Sequence, residues 1–156
     1  MNSLVVFYSR TGTTKKVAKT ISKILKSDIE EIFDTKNRKG VLGYLIAGKD
    51  ATLRKLTVIK KIKKDSSKYG LVIIGTPVWA FTMSSPIRAY IHQNKRKFKK
   101  VAFFCTMGGS GGKTTLNEMG SLCGKKPLAL LELKTKEVIK NKYVQKVKKF
   151  VDKIRR

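Results

Sequence analysis

Short apolar runs that alternate with helix-like patterns constrain the fold of this chain more than any other feature. Four runs of apolar residues have the length of a strand and cover residues 4–8, 71–74, 101–105 and 128–133, and a weaker one covers residues 29–33. Continuous apolar runs of this length are typical of strands that are covered on both faces of a parallel sheet.

Between these runs lie patterns with the period of amphipathic helices. Val17, Ile21 and Ile24 share one helix face, and a second helix follows Pro86, a residue that is tolerated at a helix start. A last stripe covers residues 143–154, and a less clear pattern covers residues 113–122. We therefore predict an α/β fold: a doubly wound, five-stranded parallel sheet of order 2-1-3-4-5 with helices on both faces.

Length and composition favour one domain that spans residues 1–156 and is hydrophobic enough (41%) to bury a core. No stretch approaches the roughly 20 apolar residues that a membrane span needs, and the N-terminus lacks the features of a signal peptide. We therefore expect a cytoplasmic protein. Cys105 and Cys123 are too few for a disulfide scaffold. They are predicted to be buried thiols, with oxidation of Cys105 as the alternative.

The charge is unusual. The chain has 36 Lys and Arg residues against 10 Asp and Glu residues, which gives a net charge of +26 spread over both halves. Such a field attracts nucleic acid, anionic lipid or an acidic protein. A solvated basic surface with no specific partner explains the charge equally well and is the interpretation that we favour.

In a sheet of the predicted order, ligands bind beyond the carboxyl ends of the strands, where the winding direction reverses. The loops after residues 8, 74 and 105 meet there. The first loop is made of Ser9, Arg10, Thr11, Gly12, Thr13 and Thr14. Its free N–H groups, its hydroxyls and the dipole of the following helix favour a phosphate. The alternative is a polar turn in which Thr13 caps the helix.

The second loop is rich in apolar side chains and contains the only tryptophan. Its candidate binding residues are Thr76, Pro77, Val78, Trp79, Ala80, Phe81 and Thr82. Aromatic side chains in a loop expose apolar area unless they pack or bind something flat, so a planar ring system is the expected partner beside a phosphate loop. The alternative for Trp79 is a cover over the local core.

The third loop is rich in glycine, which would let a flat ligand rest on backbone amides. Its candidate binding residues are Thr106, Met107, Gly108, Gly109 and Gly111. Residues 112–114 read Gly-Lys-Thr, the end of a nucleoside triphosphate loop, but Met107 stands where that motif needs glycine. The first loop also lacks the three spaced glycines of a dinucleotide site.

Residues 5–21 resemble the flavodoxin signature, with its apolar pair, its aromatic residue, its hydroxyl-rich loop and then Ala18 and Ile21 at the expected places. Residues 75–79 and 105–111 also resemble single-domain flavodoxin family proteins, so the resemblance covers nearly the whole chain. It implies an electron-transfer protein that holds FMN noncovalently at the carboxyl ends of strands 1, 3 and 4. No catalytic residue and no metal site is predicted.

The resemblance also implies which loop contacts which part of FMN. The 5′-phosphate would lie in residues 9–14, and residues 76–82 would pack on the isoalloxazine with Trp79 as the stacking residue. Backbone N–H groups of the third loop would reach the pyrimidine edge.

Two departures from the family pattern bear on function. Many flavodoxins have a tyrosine in the third loop on the outer flavin face, whereas Met107 and glycines stand here, so that face is expected to be open. Flavodoxins are also commonly acidic. We therefore hypothesise that Arg10, Lys15 and Lys16 tighten phosphate binding and raise the potential of the second one-electron reduction above the usual flavodoxin range.

The sequence leaves the partner open. An electron carrier needs a redox partner protein, and an acidic one would match the charge. The alternative function is an NAD(P)H-dependent flavin reductase or quinone oxidoreductase, with NAD(P)H or a quinone as substrate. A third hypothesis is a flavodoxin fold that has lost FMN and binds nucleic acid, but the intact phosphate loop argues against it. No specific nucleic acid is therefore expected.

Residues 37–64 are longer than a simple crossover between two strands. We predict an extra helix over the sheet there, with a lid or a dimer contact near the flavin as the alternative. His92 is expected on the surface, and residues 95–100 are expected to form a solvated basic turn or part of a polyanion-binding surface. The acids at positions 28, 30, 31 and 34 are expected to form an exposed edge-strand surface.

Overall fold

The computed structural model describes residues 1–52 and 56–156, without the side chain of Thr52. The strands are β1 (Ser3–Phe7), β2 (Asp28–Glu31), β3 (Leu71–Trp79), β4 (Thr82–Met83), β5 (Lys100–Met107) and β6 (Leu130–Lys134). The helices are α1 (Thr13–Leu25), α2 (Gly40–Thr52), α3 (Ser85–Asn94), α4 (Gly112–Cys123), α5 (Thr135–Ile139) and α6 (Val144–Arg155). Single 3₁₀ turns cover Ser66–Lys68 and Lys95–Lys97.

The sheet has the predicted topology. Its main path runs β2-β1-β3-β5-β6, and every pair along that path is parallel. The two-residue strand β4, which was not predicted, pairs antiparallel with the end of β3. Val6 lies opposite Ile74, and Ile74 lies opposite Phe103. This register brings the carboxyl ends of β1, β3 and β5 to one edge of the sheet.

The core has two layers because successive side chains of a strand point to opposite faces of the sheet. Val5 and Phe7 pack in the layer that contains α1 and α6, whereas Leu4 and Val6 pack in the layer that contains α2, α3 and α4. The prediction of helices on both faces is therefore confirmed. Among the described residues, no helix combines the length and apolarity that a membrane crossing requires.

The predicted second loop is mostly strand, which corrects the sequence analysis. β3 continues through Gly75 to Trp79 and turns back into β4 through Ala80 and Phe81, whose φ angles are 47° and 63°. Two positive φ angles are typical of a tight two-residue hairpin turn. Pro77 is tolerated because β1 ends opposite Gly75, so Pro77 has no strand neighbour on that side.

Other boundaries differ by a few residues. The strand predicted at 29–33 lies at Asp28–Glu31, the one predicted at 128–133 lies at Leu130–Lys134, and β5 extends two residues further to Met107. His92 is exposed, as predicted, and the basic segment forms the exposed 3₁₀ turn Lys95–Lys97.

The predicted extra helix between strands 2 and 3 is α2, although residues 53–55 of that segment lie outside the described residues. Ala47 and Ala51 bury one side of α2 against the core. Val41, Leu42 and Tyr44 are exposed on its surface. The other described residues therefore cover this helix only in part.

Candidate functional site

The first loop ends at the N-terminus of α1. Gly12 is the cap residue, with a φ of 99°, and its N–H donates to Ser9 Oγ at 3.0 Å. The helix starts at Thr13, so the alternative prediction of Thr13 as the cap is wrong. Among the described residues, the hydroxyls of Thr11 and Thr13 have no hydrogen-bond partner. Together with the N–H groups of the first helical turn, they offer donors to an anion.

Thr14 links the first loop to the third. Its hydroxyl lies 2.7 Å from the hydroxyl of Thr106 at the end of β5, and both residues are buried. These two predicted binding residues therefore share one hydrogen bond, in which either hydroxyl can donate. The contact fixes the first loop against β5.

A cavity of about 200 Å³ lies where the three predicted loops meet. Ten predicted residues line it: Arg10, Thr11, Thr13, Thr14, Pro77, Val78, Trp79, Thr106, Met107 and Gly108. A Cβ atom added at Gly12, Gly108 or Gly109 would meet nothing within 4 Å. The backbone at these glycines is thus open to a flat or anionic ligand, and we call this cavity the cleft.

Some predicted residues face other parts of the structure. Thr76 is buried, and its hydroxyl accepts the backbone N–H of Ser84 at 3.0 Å. Thr82 is also buried, and its hydroxyl accepts from Nη2 of Arg88 at 2.8 Å and bonds to the carboxylate of Glu118. Thr76 and Thr82 therefore hold the hairpin in place, and their side chains do not line the cleft.

The remaining predicted residues lie around the cleft. Ser9 lines a neighbouring cavity of about 360 Å³, and Ala80 lines another of about 320 Å³. Phe81 is exposed at the hairpin tip. Gly111 packs directly on that tip, because a Cβ atom there would lie 3.0 Å from the Cα of Phe81.

Trp79 lies in the wall of the cleft and is only 7% exposed. The edge of its ring meets Tyr8, with centroids 5.4 Å apart and planes at 88°. The guanidinium carbon of Arg38 lies 5.2 Å from the ring centroid. Tyr8 and Arg38 therefore fix the orientation of the indole, and stacking of Trp79 on a flavin stays a prediction.

Arg38 is the centre of a buried ion cluster. Its Nε donates to Asp34 at 2.5 Å and its Nη2 to Asp50 at 2.8 Å, while Lys36 also donates to Asp50 at 2.9 Å. Burial works against the charge of Arg38, but the bonds to the two carboxylates raise its pKa overall. The cluster joins the end of β2 to α2 beneath Trp79.

The prediction of an exposed acidic edge is wrong for two of its residues. Asp34 is held in the buried cluster with Arg38. Glu30 is also buried, and it accepts the backbone N–H of Lys63 at 3.0 Å. The segment that follows β2 covers this edge of the sheet. Buried carboxylates need hydrogen-bond partners that exposed ones do not, and the covering segment supplies them.

Of the three cations proposed to tighten phosphate binding, only Arg10 lines the cleft. Lys15 forms an ion pair of 2.7 Å with Glu31. Lys16 reaches the other side of α1, where its Nζ donates to Asn141 Oδ1 at 2.6 Å. The hypothesis that a cation tightens phosphate binding and raises the reduction potential is therefore kept for Arg10 alone.

The sequence analysis missed two residues that line the cleft, Tyr44 and Thr135. Thr135 begins α5, and its hydroxyl donates to the carbonyl of Met107 at 3.2 Å. Thr135 follows the last strand, whose carboxyl end lies at the same edge of the sheet. The rule that ligands bind beyond the carboxyl ends of the strands would therefore have predicted it. Tyr44 comes from α2, the segment for which a lid was the alternative prediction.

The cysteines are buried thiols, as predicted. Burial raises the pKa of Cys105 and of Cys123 to about 12 in each case. Cys105 lies inside β5 rather than at the start of a loop. The alternative of a readily oxidised Cys105 is therefore not supported by its position.

A larger cavity, of about 800 Å³, lies elsewhere. It is an open groove between the end of α4 and the start of β6, lined by Gly120, Lys125 and Leu130 among others. None of the predicted binding residues lines it. The smaller cleft is the stronger candidate because it lies at the carboxyl ends of the strands.

Comparisons with known proteins point to one family. The flavodoxin family model matches residues 2–154. A flavoprotein of Lactobacillus acidophilus in complex with FMN is 26% identical, with a TM-score of 0.73 over 89% of this chain and 97% of that one. The apo-form of the Lactobacillus acidophilus flavoprotein is 23% identical, with a TM-score of 0.64 over 84% and 91% of the two chains.

A more distant likeness is to oxidised flavodoxin 1 of Bacillus cereus, which is 17% identical with a TM-score of 0.55. It covers 97% of this chain and 98% of the Bacillus protein, and it supports the fold alone. No curated protein sequence matches the chain significantly. Since the family model spans nearly all of the residues and the sheet has the matching topology, the chain belongs to the flavodoxin family.

Proposed function

We propose that the chain binds FMN noncovalently in the cleft and acts as an electron-transfer protein. The observation that carries this proposal is the convergence on one cavity of the helix N-terminus, the Thr11 and Thr13 hydroxyls, Trp79 and the open backbone of Gly108. Neither hydroxyl has a hydrogen-bond partner in the described part of the chain. The helix N-terminus and the two hydroxyls suit a phosphate, whereas Trp79 and the open backbone of Gly108 suit a planar ring. The FMN complex of the Lactobacillus acidophilus relative supports the same cofactor.

Each part of the cleft has a proposed role in holding the cofactor. The phosphate is held at residues 9–14, where Arg10 adds a positive charge. The isoalloxazine packs on the hairpin at residues 77–81, and N–H groups at residues 106–111 reach its polar edge. FMN itself supplies the redox chemistry, since it takes up one or two electrons, and the protein binds it and tunes its potential.

The phosphate assignment is tested by the pair Gly12→Asp and Gly12→Asn. Both residues have similar volume and tolerate the left-handed conformation of Gly12 better than other side chains. Only Asp adds a negative charge where the phosphate is proposed. We expect Gly12→Asp to weaken FMN binding at least tenfold relative to Gly12→Asn, measured by titration of the apoprotein with FMN.

Two results would contradict the proposal. Wild-type protein that is colourless and does not take up FMN would refute cofactor binding. Equal affinity of the Asp and Asn variants would refute the placement of the phosphate. Far-ultraviolet circular dichroism of both apoproteins checks that α1 still forms.

The proposed partner is an acidic redox protein. The net charge of +26 attracts a negatively charged surface and repels a second copy of the chain. Electron transfer to such a partner should slow steeply as salt is raised, because screening shortens the range of the attraction. A rate that does not depend on ionic strength would count against an acidic partner. The cytoplasmic location stays a prediction.

A second candidate is an NAD(P)H-dependent reductase of flavin or quinones. It is favoured by the exposed Phe81 ring and by the open backbone at Gly108 and Gly109, which leave room for a second planar molecule. Steady-state oxidation of NAD(P)H by the purified holoprotein alone, with a quinone as acceptor, would support it. Absence of turnover would favour the carrier.

A further inference from the structure

Helix α2 brings an aromatic side chain to the mouth of the cleft. The ring of Tyr44 lies under Arg10 of the phosphate loop, with 5.3 Å between the guanidinium carbon and the ring centroid. Tyr44 lines the cleft and also the neighbouring cavity of about 320 Å³. Both cavities share Val78 and Trp79 as a wall, so Tyr44 stands between them.

The cleft as it stands is small for a flavin nucleotide. Sites for small molecules commonly have volumes of about 300–1,000 Å³, whereas the cleft has about 200 Å³. The neighbouring cavity is larger, but no residue of the phosphate loop lines it. Rotation of the Tyr44 side chain would join the two into one slot that extends from the phosphate loop along Trp79.

The surroundings of Tyr44 allow that rotation. The residue is 61% exposed, so few packing contacts hold the ring in one rotamer. Its backbone, in contrast, is fixed. Gly43 packs so closely on the preceding turn that a Cβ atom there would lie 2.1 Å from the carbonyl carbon of Arg38. Asp50 ties the same helix to the Arg38 guanidinium.

We propose that Tyr44 stacks on the isoalloxazine of bound FMN from the side of α2. The inference rests on the proposed function, because it assumes that FMN occupies the cleft. A flat aromatic ring gains most from a second aromatic ring at van der Waals distance, and the third loop contains no aromatic residue. Tyr44 is the aromatic residue that α2 places there.

A general apolar surface on α2 is the competing explanation, and Leu42 distinguishes the two. Leu42 is also exposed, but it lines neither cavity. If the exposed residues of α2 serve only to contact another protein, Leu42 and Tyr44 should affect FMN binding equally little. If Tyr44 stacks on the flavin, only Tyr44 should matter.

The test compares Tyr44→Ala, Tyr44→Leu, Tyr44→Phe and the matched control Leu42→Ala. Electron transfer from a stacked tyrosine or tryptophan quenches flavin fluorescence, whereas phenylalanine quenches it poorly, so both the dissociation constant and the residual fluorescence of bound FMN are measured. We expect Tyr44→Ala to weaken binding about tenfold, which corresponds to about 1.4 kcal/mol. All three Tyr44 variants should brighten bound FMN, but only Tyr44→Phe should keep the wild-type affinity, and Leu42→Ala should match wild type in both readouts.

The outcomes separate this inference from the proposed function. If wild-type protein binds FMN and Tyr44→Ala binds and quenches it equally well, stacking by Tyr44 is refuted and FMN binding stands. If wild-type protein does not bind FMN, both are refuted. Tyr44→Leu keeps an apolar side chain on α2, so its fluorescence decides the case even if Tyr44→Ala disturbs the helix.

Discussion

The hydroxyl oxygens of Thr14 and Thr106 lie 2.7 Å apart although the two residues are 92 positions apart in the sequence. The contact joins the first turn of α1 to the end of β5. It therefore couples the part of the cleft proposed for the phosphate to the part proposed for the flavin ring.

Replacement of Thr106 by Val should destabilise the protein, since it leaves the buried Thr14 hydroxyl without a partner. A loss of about 1–3 kcal/mol in the free energy of unfolding is expected, together with weaker FMN binding. Thr11→Val is the matched change at an exposed hydroxyl that has no partner among the residues the structure describes. It should weaken FMN binding and leave stability within about 0.5 kcal/mol. Urea denaturation of both apoproteins measures the difference, and equal stability would refute the role of the Thr14 contact.

Removal of the Arg38 guanidinium should be more costly. Arg38→Met leaves Asp34 and Asp50 buried without their main partner, and breaking such a pair typically costs about 3–5 kcal/mol. The near-ultraviolet circular dichroism of Trp79 should also change, because the guanidinium lies over its ring. Addition of Asp34→Asn to Arg38→Met should restore part of the stability. A double variant no more stable than Arg38→Met would contradict this account.

The two cysteines should react slowly in the folded protein. The thiolate is the nucleophile, and burial raises the pKa of both thiols to about 12 from an ordinary value of 9.0. Iodoacetamide at pH 8 should modify neither thiol in the native state and both in urea, which mass spectrometry can count. Rapid labelling of the native protein would show that the layer around Cys105 or Cys123 opens readily.

The same pKa shifts predict lower stability in alkali. Between about pH 9 and pH 12 the unfolded chain loses thiol protons that the folded chain keeps, so the free energy of unfolding falls as the pH rises. Cys123→Ala removes one of these groups and should reduce the slope. An unchanged slope would assign the effect to other groups, such as Tyr8, whose pKa burial also raises to about 12.

Arg10 should raise the reduction potential of bound FMN. Its charge lies in the wall of the cleft, where it favours negative charge on the reduced cofactor. Arg10→Gln should lower the potential by tens of millivolts, since about 60 mV corresponds to about 1.4 kcal/mol for one electron. Lys16→Gln is the control, because Lys16 bonds to Asn141 away from the cleft. A redox titration in which the two variants shift equally would show that only the net charge matters.

The sheet was predictable because buried parallel strands are written as continuous apolar runs. Residues 4–8, 71–74 and 101–105 each fall almost entirely within a strand of the final sheet, and the order of the strands followed from the fold class. The continuation of β3 to Trp79 was not predictable, since Gly75 and Pro77 normally weaken a strand. They are allowed here because β1 has already ended and because the Phe104 ring covers Gly75, where a Cβ atom would lie 1.9 Å from it.

The cleft was predicted where it follows from strand ends and missed where it depends on tertiary packing. The rule for ligand sites in doubly wound sheets led to Thr11, Pro77 and Met107, which all line the cleft. Thr76 and Thr82 lie in the same segments, but their side chains turn into the interior. Tyr44 comes from a helix whose position over the cleft depends on the buried Arg38 cluster, and no local pattern encodes that contact.

The hairpin turn at Ala80 and Phe81 limits which substitutions would stabilise the protein without removing an exposed ring. Neither residue is glycine, yet both have positive φ angles, and left-handed backbone costs roughly 1–2 kcal/mol per residue. Asn-Gly would relieve that strain, but it would also delete the phenyl ring that is exposed at the hairpin tip. Greater stability of the turn and retention of the Phe81 ring therefore exclude each other. The more stable sequence would be selected only if the ring had no function.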